Sequence, residues 1–134
     1  MTTTLTALLG FAAWFVLLSI VLGLYRVGLT FGGQKAPNTF AVDGSDLTGV
    51  GPRLTRARDN CYETLPLFAA IALVAHLSGR AQVTDTLAMW VLYARIGQSL
   101  THIMSTSVPF VLVRANLFFA QMLIYAWWCL RLFG

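Results

Sequence analysis

Apolar residues run in long blocks along this chain, with none of the short alternations that mark strands. Leu5 to Leu29 is almost wholly apolar until Arg26 and breaks at Gly32-Gly33. Three more blocks follow, and the pattern predicts helices at about 5–29, 53–78, 83–104 and 108–133. A helix needs about 20 apolar residues to cross a bilayer, so the expectation is an all-α, multi-pass integral membrane four-helix bundle filling residues 1–134 as one domain. Between the first two helices, Gly32 to Pro52 turns to Gly, Pro, Asn, Asp, Ser and Thr, with Lys35, Asp43 and Asp46, and reads as a single long loop. Pro52 or Arg53 opens the second helix, as suits proline in a first turn, and Ser78-Gly79 closes it. The connections 79–82 and 105–109 are short, which makes consecutive helices antiparallel neighbours.

Composition agrees. Of 134 residues, 57% are hydrophobic and 10% charged, too apolar for an ordinary soluble domain. The net charge of +4 comes from scattered basic residues without interleaved aromatics, which argues against a nucleic-acid partner. Basic residues instead set orientation. Lys35, Arg53, Arg56 and Arg58 flank the long loop, against Arg80 and Arg131 elsewhere, so the loop and the third connection are expected in the cytoplasm and both termini opposite. In a bacterium the membrane would be the inner one. Met1 to Ala7 carries no basic residue, so the first block reads as a retained helix and not as a signal peptide. Cys61 and Cys129 lie in apolar segments and read as small buried hydrophobes, and Trp127 and Trp128 as interfacial indoles.

Charges inside such helices cost about 3 kcal/mol each on insertion scales, so each needs a reason. In the second helix Arg56, Asn60 and Glu63 share one face, with Arg58 and Asp59 on flanking faces. Arg95, Gln98 and His102 form a stripe on the third helix, and the fourth adds Arg114, Asn116 and Gln121. With alternating helix directions, polar groups from three helices reach one membrane level. Glu63 could pair with Arg95 or Arg56 and glue the bundle. Yet Arg56, Arg58, Arg95 and Arg114 face only Asp59 and Glu63, and an anionic ligand would complete the balance. No metal is expected, because His102 has no carboxylate or cysteine pair beside it and His76 lies near a helix end. Gly49-Val50-Gly51-Pro52 lacks the Lys and Ser/Thr of a phosphate loop and reads as a turn.

The segment Arg56-Ala57-Arg58-Asp59-Asn60-Cys61-Tyr62-Glu63-Thr64-Leu65-Pro66 resembles the second-helix signature of the MAPEG family, the membrane-associated proteins in eicosanoid and glutathione metabolism. Tyr93-Ala94-Arg95 and Arg114-Ala115 resemble further family positions, and by eye the likeness is nearest to the glutathione-conjugating branches. The resemblance implies a homotrimer that binds glutathione as cosubstrate between subunits near the cytoplasmic face. It implies that Arg56, Asn60 and Glu63 hold the peptide's carboxylates and amine, with Arg58, Arg95, Gln98 and His102 around them, and that Arg114 is the catalytic residue beside the sulfur. The activity implied is a transferase or peroxidase acting on a lipophilic small-molecule substrate drawn from the membrane lipids. Gln98 and His102 replace tyrosines frequent in eicosanoid members, and Asp59 and Ala115 also depart from the prostaglandin synthase branch, which points away from eicosanoid specificity. A noncatalytic lipid-binding or partner-binding protein of the same fold is the alternative.

Overall fold

The computed structural model describes residues 1–42 and 44–134; Asp43, read above as part of the long loop, lies outside the described residues. The chain is all-helical, in the order α1 (Thr3–Phe31), α2 (Gly51–Leu77), α3 (Gln82–Met104) and α4 (Val108–Phe133). Turns without regular structure fill the loop between α1 and α2. The helices α1, α2 and α4 are long and apolar enough to cross a membrane. Helix α3 lacks so apolar a stretch, and its inward stripe carries Thr84, Arg95, Gln98 and Ser99. At about 1.5 Å per residue its 23 residues still reach roughly 34 Å, a bilayer thickness.

That helix shares the centre of the bundle with α2, which also packs against the other three. Helix α3 packs against α1, α2 and α4, whereas α1 and α4 make no contact with each other among the described residues. Small residues let the helices approach: Ala57, Cys61, Ala72 and Ala75 of α2 and Ala88 of α3 are fully buried. An aromatic group locks α4 onto the bundle. Phe68 stacks on Trp128 at 5.9 Å and on Tyr125 at 6.2 Å, and meets Phe11 of α1 at 5.7 Å. Large apolar side chains such as Ile20, Leu24, Trp90, Phe119 and Leu123 point outward, as lipid contact requires.

The structure departs from the tryptophan expectation at one residue of the pair. Trp127 is 53% exposed, but Trp128 is fully buried. Adjacent helix positions point about 100° apart, and Trp128 continues the inward stripe of Gln121 and Tyr125 at spacings of four and three. Cys129 likewise differs from expectation: it is only partly buried, while Cys61 is buried, and both thiols are free.

Polar side chains tie the helix ends together. At one end Asp85 of α3 accepts hydrogen bonds from the backbone N–H and hydroxyl of Thr4, satisfying the first turn of α1. Arg80 donates to the carbonyls of Leu132 (2.9 Å) and Arg131 (2.7 Å), closing the C-terminus of α4. At the other end Arg53 donates to the carbonyl of Met104, closing α3, at 2.9 Å. Two arginines that read as orientation signals therefore also complete helix termini across the bundle. The long loop is pinned by the Tyr25 hydroxyl on the Thr48 carbonyl (3.1 Å), by the Lys35–Asp46 pair (2.9 Å) and by the cations of Arg26 and Lys35 over the Phe40 ring. Gly44 has φ +73°, and a Cβ there would sit 2.5 Å from the Thr55 hydroxyl, so the loop docks on α2 only through glycine.

Two outcomes follow from this packing. Trp128→Ala should remove about 3–5 kcal/mol of stability through the cavity it leaves, read as a lower thermal midpoint in detergent; an unchanged midpoint would mean that α4 is not held by the aromatic group. The hydrogen bond from Lys35, opposed by some desolvation, holds the Asp46 carboxyl below its usual range. A depressed carboxyl pKa adds stability that is present above the unfolded value of about 4 and is lost as pH falls through the folded value. Hydrogen exchange in loop 33–50, corrected for intrinsic rate, should accelerate below that range, and Asp46→Asn should abolish the change.

Candidate functional site

The described ends of α2, α3 and α4 that carry the ionisable residues lie at one end of the bundle, the end where Arg53 meets Met104. There a cavity of about 350 Å³ opens between α2, α3 and α4, within the ~300–1,000 Å³ usual for small-molecule sites. It is lined by Asn60, Glu63, Gln98, His102 and Arg114, together with Val111, Ala115, Phe118 and Phe119. Five of the eight residues singled out in the sequence thus meet. One wall is charged or polar and the other is aromatic and apolar.

The remaining three lie elsewhere. Arg56 is exposed on α2. Arg58, paired with Asp59 at 2.7 Å, lines a separate groove of about 510 Å³ with Phe15 and Ser19 of α1 and with Tyr62 and Glu63, the last of which also lines the cavity. Arg95 is fully buried behind the cavity wall.

Neither of the ion pairs among the described residues involves Glu63 or Arg95. The internal pairing considered for Glu63 is therefore not what holds the helices together. Arg95 is held by neutral groups: its Nη1 donates to Oδ1 of Asn60, and its guanidinium lies 5.6 Å from the centre of the Phe11 ring. Gln98 donates to the same Asn60 oxygen at 3.3 Å, and its own carbonyl accepts from Gln121 at 2.9 Å. A buried amide chain thus crosses from α2 through α3 to α4. Nε and Nη2 of Arg95, Oε1 of Gln121 and the Tyr125 hydroxyl have no partner among the described residues.

Arg114 is half-buried and donates to the Ser105 carbonyl at 3.3 Å, a long bond that leaves most of its donors free. His102, one α3 turn below Gln98, has a buried Nε2 without a partner among the described residues. Asp59 is occupied by Arg58, so Arg56, Arg95 and Arg114 lack any carboxylate partner among the described residues. Such a cavity offers donors and positive charge to an anion, one carboxylate to a cation, and an apolar wall to a hydrocarbon.

Gln121, read in the sequence as one of the polar groups of the fourth helix, supports the site from behind, and Tyr125 was not expected beside it. Their spacing from Arg114, seven and eleven residues, places them on its stripe and was the available signal. Phe118 and Phe119 carried no signal distinguishing them from lipid-facing residues.

No group of His, Cys, Asp and Glu able to hold a metal occurs among the described residues. Comparison with curated proteins and with solved structures returned no match. The model of the MAPEG family matches residues 4–134, which takes in all four helices and every residue of the cavity. Four helices, a polar cavity at one end and this match over nearly the whole chain place the protein in the MAPEG family.

Proposed function

We propose that the protein is a membrane glutathione-dependent transferase or peroxidase acting on lipophilic electrophiles. The observation that carries the reading is the cavity in which Arg114, His102, Gln98, Asn60 and Glu63 converge from three helices beside Phe118 and Phe119. Family membership is consistent with glutathione-related or lipid-metabolism membrane proteins. Glutathione carries two carboxylates, one ammonium group and a thiol. Exposed Arg56, which has no carboxylate partner among the described residues, suits a carboxylate, Glu63 suits the ammonium, and Asn60 and Gln98 suit the peptide groups.

Arg114 is the residue proposed to act on sulfur. A thiol with pKa about 8.5–9 is mostly protonated at neutral pH, and a guanidinium beside it favours the thiolate. Arginine keeps its own proton, so its role is electrostatic and the thiol proton passes to water. In the transferase reaction the thiolate forms a C–S bond to the electrophilic carbon, and the leaving atom departs with the electron pair and takes a proton. In the peroxidase reaction the thiolate attacks a peroxide oxygen, the O–O bond breaks to give an alcohol, and a second glutathione converts the S–OH product to disulfide and water. The electrophile would arrive laterally from the lipid along the Phe118–Phe119 wall.

Exposed Arg56 and Glu63 at membrane level support assembly as a homotrimer, since charges facing lipid are costly and a second copy would cover them. Loop charge supports a cytoplasmic position for this end.

Conjugation of a generic lipophilic electrophile should fall about a hundredfold in Arg114→Ala, with glutathione binding by calorimetry reduced far less. Thiolate absorbance on glutathione binding should vanish in that variant. Absence of glutathione binding by the wild-type protein, or activity untouched by Arg114→Ala, would sink the proposal; copurifying lipid without thiol turnover would favour the noncatalytic reading instead.

A further inference from the structure

Asn60 is the one cavity residue whose amide is fixed from behind by two donors. Oδ1 accepts from Arg95 and from Gln98, while Nδ2 has no hydrogen bond among the described residues and its side chain lines the cavity. An amide can rotate to present either its oxygen or its nitrogen, and neighbours decide which. Arginine has only donors and no acceptor, so its partner in Asn60 must be the oxygen. Gln98 reinforces the choice: its carbonyl is engaged by Gln121 Nε2, which is itself tied to the Leu117 carbonyl at 3.0 Å, leaving the Gln98 amide nitrogen to point at Asn60. The direction of the whole chain therefore starts from Arg95, a group that cannot reverse.

Burial makes Arg95 a poor candidate for direct contact with a ligand. It is fully buried and does not line the cavity, yet it remains charged in the bundle interior, where a lone cation is costly and is retained for a reason. From this geometry we infer that Arg95 is a positioning residue, acting through Asn60 so that the cavity always presents an N–H donor at that corner. A ligand accepting there would be a carboxylate or a peptide carbonyl, and a ligand donating there would be rejected. The inference rests on the glutathione reading for its ligand, but the orientation of the amide does not.

The decisive variant is Asn60→Asp. It preserves size and the acceptor toward Arg95 and Gln98 but replaces the cavity-facing donor with an anionic acceptor. In the ligand-free protein its thermal midpoint should equal or exceed that of wild type, because Arg95 gains a carboxylate. Glutathione affinity by calorimetry should fall about tenfold or more, the loss expected when a hydrogen bond to a charged group becomes a repulsion. Arg95→Met should weaken glutathione binding severalfold and Arg95→Lys, which keeps a donor, should restore part of it. A purely structural role for Arg95 would lower the midpoint in Arg95→Met without moving affinity, and that result overturns the inference. So does wild-type affinity in Asn60→Asp. If the wild-type protein binds no glutathione, the glutathione reading fails separately, and the Asn60→Asp midpoint then decides alone: several degrees below wild type would show that the oxygen does not face Arg95. Should Arg95→Met not fold, the two Asn60→Asp measurements still decide between the outcomes.

Discussion

A guanidinium buried between membrane helices without a carboxylate is the constraint on which the rest of this structure depends. Arg95 sits where three helices meet α3, and the bundle meets part of its demand with the Asn60 oxygen and the face of Phe11, leaving Nε and Nη2 without a partner among the described residues. Meeting that demand fixes the rotation of α2, which must bring Asn60 inward, and of α3, which must bring Arg95 inward with Gln98 and Ser99. Through Gln98 the same demand reaches Gln121 and so the rotation of α4. A hydrophobic core alone is tolerant of helix rotation when lipid and core are equally apolar, and directional polar contacts remove that freedom.

Once the helices are set in this way, the open cavity follows. Asn60 and Gln98 of the Arg95 network line it together with Glu63, His102 and Arg114, and deeper in the bundle Phe68, Tyr125 and Trp128 close the seam between α2 and α4. The ion pairs lie outside the cavity, Lys35 with Asp46 in the loop and Arg58 with Asp59 in the neighbouring groove of α2. The cavity keeps unpaired charge of both signs. That separation of paired from unpaired charge is what recommends it as a site for a zwitterionic peptide.

Much of this was legible in the sequence. Four apolar blocks, the Gly32–Pro52 loop and the short turn at Gly79 are strong composition signals, because a bilayer admits little besides helices. Polar stripes on α2 and α3 also located one membrane level, and Asn60, Glu63, Gln98, His102 and Arg114 do meet there. What spacing could not resolve is depth. Arg56, Asn60 and Glu63 share a face by periodicity, yet Asn60 turns to Arg95 while Arg56 and Glu63 stay exposed, since a helical stripe spans an arc wide enough to include both core and rim. Tertiary partners likewise decided between Trp127 and Trp128, and assigned Arg53, Arg80 and Asp85 to helix ends. Those partners lie 51, 52 and 81 residues away in the chain, beyond the reach of any local pattern.

The central claim is that the unpaired charges at one end of the bundle are half of a glutathione site. A density map of the protein in a lipid nanodisc with saturating glutathione tests it most directly. The account predicts tripeptide density in the cavity, with a carboxylate against an arginine, the ammonium near Glu63 and the sulfur within reach of Arg114. A cavity occupied by an acyl chain, or an Arg114 paired to a carboxylate side chain of a neighbouring copy with glutathione excluded, would contradict it.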